Sequence, residues 1–95
     1  MNVDLMGENI KSEADFHRQL AQSLDVEAFY GFNCDALWDL LSAGIERPLK
    51  LTWRNSASSK ANMGESFEII VSILERVKLQ DEKFGWVDRF TYILA

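Results

Sequence analysis

Residues 29–41 read FYGFNCDALWDLL, and the rest of the chain is arranged around them. Asn33 is a residue type suited to capping a helix start, and the positions after it are spaced for a helix. At 100° per residue, Cys34, Leu37, Leu40 and Leu41 fall on one side, and Asp35, Trp38, Asp39 and Ser42 on the other. The first side has the composition of a core stripe. The second sets a tryptophan between two carboxylates, which suits neither a solvated face nor a core. It is the surface expected to bind a partner.

Upstream lies the connection Asp25–Phe32. From Asp25 to Asp39 there are four acids and no Lys or Arg, so this stretch carries −4 of the chain's net −5. Such concentrated charge beside aromatic residues favours a cationic partner. Gly31 predicts a tight turn or a close backbone approach. A loop pinned by Gly31 and the Asn33 cap would be ordered before binding, which lowers the cost of association.

Going outward, Val3–Met6 reads as a first strand, stopped by the turn-forming Gly7–Glu8–Asn9. Ser12, three before Asp15, resembles a capping box. Phe16, Leu20 and Leu24 then repeat every four residues in a helix ending near Leu24–Asp25. Ser42–Ala43–Gly44 closes the helix after Asn33, with Gly44 as its C-cap. Pro48 marks the entry to a strand, and Leu49–Arg54 alternates apolar and polar residues. Asn55–Lys60 suggests a short irregular helix.

The longest helix is expected to start around Gly64–Ser66 and to end at Asp81–Lys83. Its inner stripe is Phe67, Ile70, Val71, Leu74, Val77 and Lys78, widened by Ile69 and Ile73. Phe90–Leu94 reads as a final buried strand. Crossovers through helices imply parallel neighbours. The fold class is therefore α/β: a small three-stranded, mostly parallel sheet packed with about three to four helices.

Ninety-five residues, nearly half of them apolar, suit a single domain spanning residues 1–95. The acidic balance makes nucleic acid a poor partner. Cys34 is the only cysteine, which excludes an internal disulfide and fits a reducing, cytoplasmic setting. No apolar run is long enough for a membrane span. His17 is the only histidine, read as helix-surface or half-buried, and one histidine without a cysteine cluster makes no metal pattern. No cofactor motif occurs.

An enzyme reading would cast Asp35 and Asp39 as general acid and base, but both sit on one helical face of a domain too small for a deep cleft around them. Cys34 is expected to face inward and His17 lies on another helix, so they do not read as a nucleophile–base pair. Two residues of the face also suit purely structural roles. Asp35 favours the positive end of a helix, and Trp38 could pack inward against the first helix. Asp39, one turn beyond Asp35, is harder to explain structurally, because two nearby carboxylates repel unless cations relieve them.

The stretch FYGFNCDALWDLL resembles the signature loop and second helix of the barstar family, inhibitors of a barnase-type bacterial ribonuclease. The likeness rests on the aromatic–Tyr–Gly–x–Asn–x–Asp–Ala–Leu–Trp–Asp run and on Pro48–Leu49 at the family's spacing. It is strong over Phe29–Leu41, fair from the N-terminus to Trp53 and over the helix after Gly64, and weak in the tail. The resemblance implies a barstar-like fold, a short helix after the second strand and a cis bond before Pro48. It also implies a protein that blocks the cationic active site of a small, basic, secreted-type ribonuclease without a cofactor, as a monomer forming a heterodimer.

The contacts expected on this reading come from Phe29, Tyr30, Gly31, Asn33, Asp35, Trp38, Asp39 and Ser42, with a secondary contact at Glu75 or Arg76. The chain departs from the family at four of these or nearby positions. Phe29 replaces a tyrosine, Phe32 a glutamate and Gly44 a tryptophan, and Arg76 aligns with an acidic contact. The Leu79–Asp88 region is also longer and holds Phe84 and Trp86. The alternative is a non-inhibitory adaptor of the same fold that docks a different basic protein.

Overall fold

The alternation in Leu49–Arg54 sets the centre of the sheet. Leu49, Leu51 and Trp53 are fully buried, whereas Lys50 and Arg54 are exposed. The computed structural model describes residues 1–95. Its elements run β1 (Asn2–Met6), a short 3-10 turn (Gly7–Asn9), α1 (Glu13–Leu24), α2 (Cys34–Ala43), β2 (Leu49–Arg54), α3 (Ser56–Met63), α4 (Glu65–Lys83) and β3 (Phe90–Leu94). The strand order is β1-β2-β3, and both pairings are parallel, with Val3 opposite Leu51 and Leu51 opposite Tyr92. Helical crossovers between successive strands give this topology, as the sequence predicts.

One face of the sheet holds the core. Phe16 of α1 and Phe67 of α4 each place their rings 4.9 Å from Trp53, so both helices cover the same side. The other face carries Asp4, Lys50, Arg54 and Ile93 and stays open. The final strand is therefore not buried as its composition suggests. It is an edge strand in which Phe90 alone is buried and Ile93 and Leu94 remain exposed. Apolar density along a strand does not say whether a neighbour lies beyond it.

The helix ends follow their residues. Ser12 Oγ accepts from the Asp15 amide at 3.2 Å, and Asp25 closes α1 in the left-handed region at φ 57°. In α4, Phe67, Ile70, Ile73, Leu74 and Val77 are buried, but Ile69 is exposed, because it lies about 100° around the helix from Ile70. The segment after β2 forms a regular helix, α3, rather than an irregular one. Its buried Ser59 hydroxyl accepts from Trp53 Nε1 at 3.0 Å and donates to the Gly7 carbonyl at 2.8 Å. A Cβ at Gly7 would lie 2.3 Å from the Arg54 carbonyl oxygen, so no side chain fits there.

The Arg47–Pro48 peptide is cis. Arg47 makes the largest charged contact of the fold. Its Nε and Nη2 donate to the Asp81 carboxylate at 2.7 and 3.2 Å, and Nη2 and Nη1 also reach the Leu41 and Ile45 carbonyls at 2.6 and 3.0 Å. The Phe90 amide donates to the same carboxylate at 2.6 Å. Asp81, which the sequence places in a polar helix end, is completely buried. Burial pushes its carboxyl upward, but the hydrogen bonds from Arg47 and Phe90 outweigh that and hold it below the ordinary range.

Candidate functional site

The loop between α1 and α2 is anchored from beneath. Val26 and Tyr30 turn their side chains into the core, while the amides of Phe29 and Tyr30 donate to the Val26 carbonyl at 3.1 and 2.9 Å. This closes the turn on itself and leaves Phe29 at its crest, 71% exposed. A Cβ on Gly31 would lie 2.9 Å from the Ala36 Cβ, so glycine permits the close passage over the start of α2. The left-handed residue is the next one, Phe32, at φ 56°. Its ring rests 5.2 Å from that of Tyr30. Asn33 caps α2 through Oδ1, which accepts from the Ala36 amide at 2.8 Å.

Tyr30 is expected from the sequence among the partner contacts, but its ring is buried and its hydroxyl lies 2.6 Å from His17 Nδ1. Burial, followed by the nearby Cys34 and Glu13, raises the Tyr30 pKa, so the phenol stays protonated. Its buried ring holds the loop down and also lines the groove beside Asp39. His17 is itself 1% exposed, not a surface or half-buried residue, and its Nε2 lies 3.0 Å from Glu13 Oε2. Cys34, on the other helix, reaches the same carboxylate oxygen at 3.6 Å. The sequence could not bring these together, because the packing of α1 on α2 decides it.

Along the outer side of α2, Asp35 and Asp39 are exposed and Trp38 is half-buried against the core. The guanidinium of Arg76 lies 4.4 Å from the centre of the Trp38 ring. Trp38 is thus partly turned inward, but the contact recorded for its ring is with Arg76 of α4 rather than with the first helix. Ser42 is half-buried, and its carbonyl accepts from Gln80 Nε2 of α4 at 3.1 Å. The two secondary candidates diverge. Glu75 accepts from the Tyr92 hydroxyl at 2.7 Å, and burial together with that hydrogen bond pushes the Tyr92 pKa up to about 12. Arg76 alone approaches α2.

None of Asp25, Glu27, Asp35 and Asp39 has a cationic side chain within ion-pair distance, and all four are exposed. Between this acidic edge and the loop runs an open groove of about 380 Å³. Ala36, Leu40 and Gly44 form its floor, Phe29, Tyr30 and Gly31 its wall, and Asp39 supplies its carboxylate. The sequence pattern gives the floor no site role, although its residues recur every four positions beside Asp39. An apolar groove with one carboxylate suits a flat cationic group, a guanidinium or an imidazolium.

No helix is long and apolar enough to cross a membrane. The family model described as Barstar (barnase inhibitor) matches residues 1–89. A Bacillus subtilis (strain 168) protein named "Putative ribonuclease inhibitor YrdF" is 30% identical over 78 residues, which cover 80% of this chain and 86% of that protein.

Proposed function

The chain belongs to the barstar family, and from that premise we propose that it inhibits a small basic ribonuclease by covering its active site. One observation carries the reading: the loop and helix edge presents four exposed acids with no cation within ion-pair distance, next to a groove containing a carboxylate. A ribonuclease must hold phosphate with cationic side chains. Asp39, with Asp35, meets those cations through charge-assisted hydrogen bonds in place of the substrate. Phe29 lies over an active-site ring, and the groove takes one flat cationic side chain. The protein itself performs no catalysis.

The closed turn at Val26–Tyr30 limits the ordering cost of docking, and the acidic edge speeds encounter with a basic enzyme. Arg76, stacked on Trp38, places a positive charge beside the acids. It would repel a nuclease whose rim is basic at that point, so the cognate enzyme is related to the usual family partner but not identical to it. The protein acts in the cytoplasm as a monomer that pairs one-to-one with the nuclease.

The test is a titration into a fixed amount of a small, basic microbial ribonuclease, reading residual RNA cleavage. A sharp equimolar endpoint that Asp39→Ala removes supports inhibition through this edge. Full cleavage at micromolar excess across a panel of such enzymes would overturn it in favour of an adaptor that docks a different basic protein.

A further inference from the structure

Where α1 and α2 begin side by side, three side chains of different ligand chemistry converge. Glu13 Oε2 lies 3.0 Å from His17 Nε2 and 3.6 Å from Cys34 Sγ, and one ligand atom from each of the three residues falls within 4.8 Å of the other two. We propose that Glu13, His17 and Cys34 form a binding site for a borderline-soft divalent cation of the zinc class. The metal is held through a carboxylate oxygen, Nε2 and a thiolate, with water as the fourth ligand.

Zinc bonded to nitrogen, oxygen and sulfur at its usual lengths in a tetrahedron needs ligand atoms roughly 3.3 to 3.7 Å apart. The observed separations are within side-chain adjustment of that. His17 follows Glu13 by four residues, which puts both on one face of α1. Cys34 is the first residue of α2, which brings a sulfur against that face. The mixed set of sulfur, nitrogen and oxygen suits zinc better than a hard cation such as magnesium or calcium.

Two further features resemble a built site rather than a chance encounter. The imidazole is buried, and its far nitrogen is held by the Tyr30 hydroxyl at 2.6 Å, the kind of outer partner that orients a ligating histidine. The Glu13 side chain is 42% exposed, which leaves a side open to metal and water.

In the metal-free protein, Nε2 of His17 is hydrogen-bonded to Glu13 and Nδ1 to the Tyr30 hydroxyl. With metal bound, Nε2 gives its lone pair to the cation and Nδ1 carries the ring proton, which the Tyr30 oxygen accepts. Cys34 loses its thiol proton to solvent, so metal binding releases protons. Neither the nuclease reading nor any contact of the acidic edge is needed for this.

The test is titration of the metal-free full chain with Co2+, followed by displacement with Zn2+. The expected result is one equivalent bound, a thiolate-to-cobalt charge-transfer band, and loss of that band when zinc is added. Cys34→Ser should abolish the band, and Cys34→Ser and Glu13→Gln should each lower zinc affinity at least about tenfold, with circular dichroism and thermal melts confirming that both variants fold. A missing charge-transfer band under excess cobalt, or an unchanged zinc affinity in either folded variant, overturns the proposed ligand set.

Discussion

Helix α2 carries charge in two opposite conditions. Just beyond its C-terminal end, Arg47 is answered on every side, by the Asp81 carboxylate and by the Leu41 and Ile45 carbonyls. Along its outer face, Asp35 and Asp39 have no cation within ion-pair distance. The first cluster is buried, so each member is needed by the others and the fold would suffer if one were lost. The second is solvated and self-repelling, so the fold gains little from it. Charge that the fold answers is structural, and charge it leaves unanswered is free for a partner.

The sharpest way to break this contrast is Asp81→Ala. Leaving Arg47 buried without its carboxylate should destabilise the protein by about 3–5 kcal/mol, measured by urea unfolding, while inhibition under folding conditions keeps its equimolar endpoint. The acid limb adds a check. Because the folded Asp81 carboxyl is held below its ordinary value, its contribution is present above the ordinary carboxylate range and is lost as pH falls through the folded value. The stability gap between the unsubstituted protein and Asp81→Asn should therefore be constant between about pH 5 and 8 and close in acid below about pH 4.

Asp39→Ala should give the reverse result. Affinity for the cognate nuclease is expected to fall by about 2–5 kcal/mol, read from inhibition constants, with unfolding stability changed by less than about 0.5 kcal/mol. A variant that unfolds easily yet binds tightly would move Asp39 into the scaffold. Phe29→Ala, at the exposed crest, should cost about 1–2 kcal/mol of affinity and no measurable stability. Asn33→Ala sits between the two regions. Removing its bond to the Ala36 amide should cost about 1 kcal/mol of stability, with a smaller loss of affinity because the loop is less firmly held.

Much of the fold was legible because it rests on local periodicity. The Ser12 and Asn33 caps, the alternation of Leu49–Arg54 and the stripe of α4 each report themselves within a few residues. The exposure of Asp35 and Asp39 followed from helical phase and charge, whereas the family resemblance placed Phe29 at the edge. The burial of Tyr30 was not legible, since an aromatic residue in an acidic loop looks the same whether it stands clear or lines a groove with its hydroxyl turned inward. The strand Phe90–Leu94 misled for a related reason, because its apolar content does not reveal that it lies at an edge.

The amino-acid order by itself determined the elements, their caps and the acidic edge on α2, which depend on residues close along the chain, and it implied the parallel sheet through the helical crossovers between strands. Only the tertiary structure decided that Asp81 meets Arg47 across 34 residues, that Arg76 covers Trp38, and that Glu13, His17 and Cys34 share one corner. Those pairings depend on how helices pack across the sheet, and packing joins side chains by shape and burial rather than by spacing in the sequence.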